Sequence, residues 1–177
     1  MEYVSFKPES HYREAAEKLF NKQAARISAG LPLARIFHVG STAVPGSLTK
    51  GDVDVHVRVS PEDFRKAEDF LSALFQINTG SFRSHEFCAF EDDSGELPVG
   101  FQLTAAGSET DHFRKVTRFL RTHPDWLSAY NHLKEQYEGS EMESYRKAKS
   151  AFLESMMDAE EFLVFDEAAG GPSDEFQ

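Results

Sequence analysis

The sequence carries one cysteine in 177 residues, Cys88. A lone thiol closes no internal disulfide and builds no zinc site of the paired CxxC type; within "HEFCAF" it reads as a small core hydrophobe. Long apolar runs are also missing, and nothing approaches the roughly 18 residues that a membrane-crossing helix requires. The opening "MEYVSFKPESHYREAAEK" is charged and lacks the apolar centre of a secretion signal, so a cytoplasmic protein that does not enter membranes is expected. Basic residues are scarce beside acids. With 19 Lys and Arg against 30 Asp and Glu, the formal net charge is −11, which speaks against broad nucleic-acid binding because phosphate contacts come from clustered Lys and Arg. Much of the excess is terminal. Residues 158–177 hold seven acids and no Lys or Arg, leaving about −4 for the remainder, and the final stretch, ending "AAGGPSDEFQ", reads as an acidic, disordered tail over 166–177.

Apolar material is plentiful: hydrophobic residues make up 40% of the chain, and sixteen residues are Phe, enough for one domain over residues 1–165. In "HYREAAEKLFNKQAARISAGL", Tyr12, Ala15, Leu19, Phe20 and Ile27 recur at helical spacing, and Gly30 supplies a stop. "LARIFHV" then reads as a strand that Gly40 ends. Ser60 is placed to cap a helix that runs to about Phe75, with Pro61 at its first position. "SHEFCAFEDDSGELPVGFQLTAAG" has the form of a hairpin turning at residues 92–95. From about residue 109 the pattern is helical, in three segments parted by Pro124 and by Gly139 and Ser140. The order predicts an α+β domain, a small mixed sheet with packed helices and a helical C-terminal segment.

The segment "HVGSTAVPGSLTKGDVDVHVRV", residues 38–59, concentrates the chemistry. Side chains alternate along a strand, so Val53, Val55, Val57 and Val59 share one face, and Asp52, Asp54, His56 and Arg58 share the other. Two carboxylates about 6.5 Å apart by strand rise repel one another unless a cation lies between them. Oxygen-only ligands point to Mg²⁺ or Mn²⁺. Gly40 and Ser41 complement the acids: a glycine at a strand end lets the backbone approach an anion, and the hydroxyl donates to a phosphate oxygen. An ordinary turn beside a solvent-facing strand would show the same residue types. It is their order, Gly-Ser at a strand end and Asp-x-Asp eleven residues later, that is specific.

That order resembles the nucleotidyltransferase signature of the DNA polymerase beta superfamily. More closely, "HVGSTAVPG" with the following Lys and Asp-bearing strand resembles the GrpB family, and the similarity continues through "FRKVTRFLRTHPDWLSAYNHLKEQYEG" and "YRKAKSAF", covering about residues 37–152. The resemblance implies a nucleotidyltransferase-like fold. It places Gly40 and Ser41 on the phosphate-facing turn, Asp54 at the family's acid, Lys50 at the preceding lysine, and Tyr145 and Lys149 at C-terminal positions. "KGDVDV" marks a subgroup that also keeps Asp52. The candidate catalytic and metal-binding residues are therefore Asp52 and Asp54, and the candidate nucleotide-binding residues are Gly40, Ser41, Thr42, Lys50, Gln102 and Lys149.

The superfamily's third carboxylate should lie on "PVGFQLTA", which offers only Gln102 and Thr104, neither able to act as a general base. Glu86 or Glu91 on the preceding strand could take its place. His38 is expected to orient the turn, His56 to sit at an exposed position or beside Asp54, and Arg58 to serve the surface or an ion pair. "GSTAVPGSLTK" lacks P-loop spacing, "HPD" at residues 123–125 parts two helices, and the histidines show no zinc arrangement. The expected activity is metal-dependent transfer of a nucleotidyl group from a nucleoside triphosphate to an acceptor. The alternatives are a non-catalytic protein that binds a nucleotide or another phosphorylated small molecule, and an adaptor that uses the acidic tail.

Overall fold

The computed structural model describes residues 1–169 and 174–177. In chain order the elements are β1 (Lys7–Pro8), α1 (Glu9–Gly30), β2 (Arg35–Val39), β3 (Leu48–Thr49), β4 (Val53–Val59), α2 (Phe64–Leu74), β5 (Gln76–Ile77), β6 (Phe87–Asp92), β7 (Val99–Ala105), α3 (Phe113–Thr122), α4 (Pro124–Tyr137), α5 (Met142–Asp158) and α6 (Glu160–Leu163). Five strands form one sheet in the order β2-β4-β7-β6-β5. β4 and β7 are parallel, and the other pairs are antiparallel. The mixed α+β class is as the sequence predicts.

One sheet face is the main core. The four valines of β4 lie there with Phe101, Leu103 and Phe90, covered by Ala16, Phe20, Ala24 and Ile27 of α1 and by Phe64, Ala67 and Leu71 of α2. Burying each valine contributes about 1.5–3 kcal/mol, so a one-residue slip of β4 would forfeit all four at once. α1 stops where Phe70 of α2 crosses it. A Cβ on Gly30 would lie 2.1 Å from that ring, and only a glycine admits the contact. Ser60, expected to cap α2, bonds Asp63 through its hydroxyl instead, and Pro61–Asp63 form a 3-10 turn ahead of the helix.

The opposite face of β4 is not open to solvent. His56 is fully buried, its Nε2 is 2.8 Å from Thr104 Oγ1, and its ring lies against Phe37 and Phe113. The exposed position expected for it is corrected: α3 roofs this face. Arg58 pairs with Asp111 at 2.7 Å just ahead of α3. Two smaller clusters hold the helices. Val44, Phe119, Leu120, Tyr130, Met156 and Phe162 join α3 through α6, and Val4 packs on Met142 and Tyr145. The N-terminal residues strap the α4–α5 turn, with Val4 N–H donating to Ser140 O and Gly139 N–H donating to Val4 O, both at 2.9 Å.

The tail expectation for residues 166–177 needs correcting over 174–177, and over 170–173 it lies outside the described residues. Asp174 is buried, its Oδ1 3.0 Å from Arg118 and 3.8 Å from Arg114. Glu175 bridges to Phe37 in antiparallel sense and accepts two 2.9 Å bonds from Arg35, while Phe176 N–H donates to Ile36 O and its ring packs on the core. Residues 174–176 dock on the β2 edge through that isolated bridge and two backbone hydrogen bonds, because unpaired strand groups and buried arginines offer partners that composition does not reveal. Among the described residues no helix is long and apolar enough to cross a membrane.

Candidate functional site

β2 ends at Val39, which pairs with Asp54 on β4, and Asp54 in turn pairs with Gly100 on β7. The Asp54 carboxylate thus lies between two glycines. A Cβ on Gly40 would stand 2.3 Å from its Oδ2, and one on Gly100 would stand 3.1 Å from its Oδ1. Gly40 also has φ +78° and ψ −174°, a positive-φ conformation that is essentially restricted to glycine and costs other residues about 1–3 kcal/mol. The next three residues, Ser41–Ala43, form a 3-10 turn.

That turn is braced from below. Thr42 Oγ1 donates to Asp52 O at 3.0 Å and lies 3.1 Å from His38 Nε2, while Gly40 N–H donates to Thr117 Oγ1 of α3 at 3.0 Å. His38 therefore orients the turn as expected. Burial pushes its proton affinity down to about 4, and Arg121 adds to the effect against the weaker pull of Glu9 and Asp174. Thr42 does not meet its expectation as a ligand contact. Its hydroxyl is buried in the turn's support and does not border the cavity.

Above the turn lies a cavity of about 200 Å³. Its floor is Gly40, Ser41, Lys50, Asp52, Asp54 and Gln102; Tyr130 and Lys134 enter from α4, Tyr145 and Lys149 from α5. Val116, Leu120, Leu153 and Met157 close the far side with apolar surface. Every candidate residue except Thr42 borders this one space.

Charge is unevenly compensated. Burial pushes the Asp54 carboxyl up to about 6, with Asp52 adding to the rise, against the opposing pull of Lys149, Lys50 and a hydrogen bond from Gln102. Asp52 pairs with Lys50 at 3.0 Å. Lys134 is 1% exposed; its Nζ donates to Leu48 O at 2.6 Å and to Ser47 Oγ at 3.3 Å, and lies 2.7 Å from Ser41 Oγ. Burial, then Lys149 and Lys50, drive its proton affinity well below that of an ordinary lysine. Burial also pushes the Tyr130 hydroxyl up to about 12. Gln102 Oε1 and His112 Nδ1 are buried without a hydrogen-bond partner, and both residues line the cavity.

No carboxylate from β6 or β7 joins Asp52 and Asp54. Glu91 stands opposite Gly100, two strands from Asp54, Glu86 is exposed ahead of β6, and neither borders the cavity. Gln102, two residues along β7 from Gly100, which is opposite Asp54, reaches the Asp54 carboxylate with a side-chain hydrogen bond. Among the described residues no group of three or more His, Cys, Asp or Glu could hold a metal ion. Cys88 is buried in the core, where burial pushes its thiol up to about 11. Lys134 and Tyr130 went unseen in the sequence. Their i,i+4 spacing places them on one face of α4, but nothing in "DWLSAYNHLKEQYEG" says that this face turns inward.

Comparison with known proteins agrees with this architecture. A UPF0157 protein of Vibrio cholerae is 36% identical over 155 residues, which is 87% of this chain and 82% of that protein. A UPF0157 protein of Deinococcus radiodurans is 29% identical over 137 residues, covering 76% and 71%. The crystal structure of a conserved GrpB protein from Enterococcus faecalis superposes with a TM-score of 0.56 at 17% identity, covering 86% of this chain and 87% of that one, a likeness of fold. The family model described as GrpB protein matches residues 10–159. The chain belongs to the GrpB family.

Proposed function

We propose that the cavity is the active site of a divalent-metal-dependent nucleotidyltransferase, which moves a nucleotidyl group from a nucleoside triphosphate to an acceptor. One observation carries this: Asp54 of β4 and Asp52 just ahead of it, three lysines and the Gly40-Ser41 turn face the same 200 Å³ space. The pairing of β2 with β4 sets the Gly-Ser turn beside Asp54, which is the arrangement that the nucleotidyltransferase-like fold implies.

The residues fit Mg²⁺ or Mn²⁺. Asp52 and Asp54 are hard oxygen donors, and the raised proton affinity of Asp54 marks a negative charge that burial leaves short of positive partners. Two protein ligands suffice for Mg²⁺, which keeps several waters and takes phosphate oxygens for the rest. When bound, the ion would neutralise charge on the transferring phosphate. The chain supplies the rest. Lys50 and Lys149 offer point charges to the remaining phosphates, Ser41 presents its hydroxyl from a turn already locked by Thr117 and Thr42, and the apolar far wall limits water, which strengthens each charge interaction inside.

The test is pyrophosphate release from each labelled nucleoside triphosphate with Mg²⁺. Release is expected from the wild type and should vanish in Asp52→Asn and Asp54→Asn, with Mg²⁺-dependent nucleotide binding abolished in the latter by calorimetry; unchanged affinity there would sink the assignment. A second reading, a nucleotide or phosphometabolite binder without turnover, is favoured by Gln102 in place of a third carboxylate. Its signature is Mg²⁺-dependent binding with no pyrophosphate released.

A further inference from the structure

Among the described residues no carboxylate lies within salt-bridge distance of Lys134. Its three close partners, Ser41 Oγ, Ser47 Oγ and Leu48 O, are all uncharged, and of these Ser41 borders the cavity. The hydrogen-bond inventory suits a neutral amine. Ser47 sends its own proton to Leu48 O at 3.0 Å, which leaves its oxygen free to accept. An NH₂ group can then donate to Leu48 O and Ser47 Oγ, and its lone pair falls to the remaining contact at 2.7 Å, Ser41 Oγ. The Tyr130 ring, 3.9 Å from Nζ, favours the ammonium through its π face. Burying an ammonium without a counter-anion outweighs that attraction, which favours the neutral form.

Ser41 is also placed as a nucleophile should be. It follows a strand and a positive-φ glycine, so its hydroxyl projects from a sharp turn into the cavity, a position shared with serine nucleophiles on strand-to-helix turns. The turn is anchored on both sides by Thr117 and Thr42, and the base arrives from a different element, α4.

We propose that Ser41 and Lys134 form a nucleophile–base pair, through which Ser41 takes up the nucleotidyl group covalently. The electrophile rests on the nucleotidyltransferase reading; the pair itself does not. In the step, Ser41 Oγ bonds to the α-phosphorus of the triphosphate, and the bond from that phosphorus to the oxygen bridging to the β-phosphorus breaks. Pyrophosphate leaves with the electron pair, and the Ser41 proton passes to Lys134 Nζ, which becomes an ammonium beside the new phosphodiester. Desolvated lysine as the base for a hydroxyl nucleophile is an established chemical solution. Around Lys134 stand Tyr130 on its own helix, Tyr145 and Lys149 on α5, Lys50 after β3, and Asp52 and Asp54 across the cavity. The two other lysines keep the amine neutral.

Two arms on the full-length chain test this. In the first, a fluorophosphonate probe, which needs no nucleotide, should label Ser41, as read by peptide mass spectrometry. The rate should rise with pH to a plateau whose midpoint lies well below that of ordinary lysine, and fall by about 10²-fold or more in both Lys134→Met and Lys134→Arg. Arginine retains charge and donors, so labelling at the wild-type rate in Lys134→Arg would reduce Lys134 to a brace and overturn the pair, as would an unlabelled Ser41 in the wild type. Should Lys134→Met fail to fold by circular dichroism, the pH profile and Lys134→Arg decide. In the second arm, α-labelled ATP with Mg²⁺ should leave one nucleotidyl adduct on Ser41, with pyrophosphate in equal amount. Pyrophosphate released with no adduct, or an adduct elsewhere, overturns the covalent step. Probe labelling at Ser41 with no nucleotide bound would support the pair and overturn the nucleotidyltransferase reading instead.

Discussion

Asp54 and two histidines pull stability in opposite directions as pH changes. His38 and His56 have proton affinities lowered by burial to about 4 and about 3. The unfolded chain therefore binds more protons than the folded one below the ordinary histidine value near 6.5, and stability falls on acidification from there through about pH 4. Asp54 is raised to about 6. The folded state takes up its proton first, so this residue returns stability as pH falls from about 6 to 4 and costs stability at pH 7. Two histidine protons outweigh one carboxylate proton. Urea unfolding should show net loss on acidification. Asp54→Asn should steepen that loss while gaining about 2–3 kcal/mol at pH 7, since each tenfold change in proton affinity is worth about 1.4 kcal/mol. An Asn variant less stable at neutral pH would contradict the assigned burial. Gly40→Ala is expected to destabilise by about 1–3 kcal/mol from backbone conformation alone, and its Cβ must also displace the Asp54 carboxylate, so this variant should lose Mg²⁺-dependent binding as well.

Among the elements, β4 was the easiest to read: alternation puts valines on one face and polar groups on the other, and packing against α1 and α2 does the rest. The polar face misled, because burial by α3 depends on where a distant helix lands. The same holds for residues 174–177. Composition makes them a solvated tail, yet Asp174 meets Arg118 and Arg114 in a buried position, whereas Glu175 pairs with a half-exposed Arg35. These two acids should differ in denaturant melts. Asp174→Ala should cost about 3 kcal/mol, as breaking a buried pair does, and Glu175→Ala less than about 1 kcal/mol. Equal losses would mean that the tail is held by its backbone and not by its charges.

Over the whole molecule, the cavity gathers residues from positions 6 to 157. Its α5 wall depends on the N-terminal strap, since Val4 packs on Met142 and Tyr145 and bonds the α4–α5 turn. Deleting residues 1–6 should accelerate amide exchange over residues 139–149 by on the order of 10–100-fold, from the loss of about 2 kcal/mol of Val4 burial, while β4 and β7 keep their protection. Uniform acceleration would show that the strap supports the entire fold.

Local pattern sufficed for what depends on neighbours in the chain: the helices, the hairpin, the valine face of β4, and the adjacency of Gly40, Ser41, Asp52 and Asp54. Periodicity encodes which residues share a face, and turn chemistry encodes where a strand must stop. Only the tertiary structure decided what each face meets. That Lys134 enters the cavity with only uncharged hydrogen-bond partners, that Thr42 braces the turn from behind, and that Gln102 stands where an acid was sought all follow from helices and strands far apart in sequence packing together. Burial, which sets proton affinity, belongs to that assembly and to no single segment.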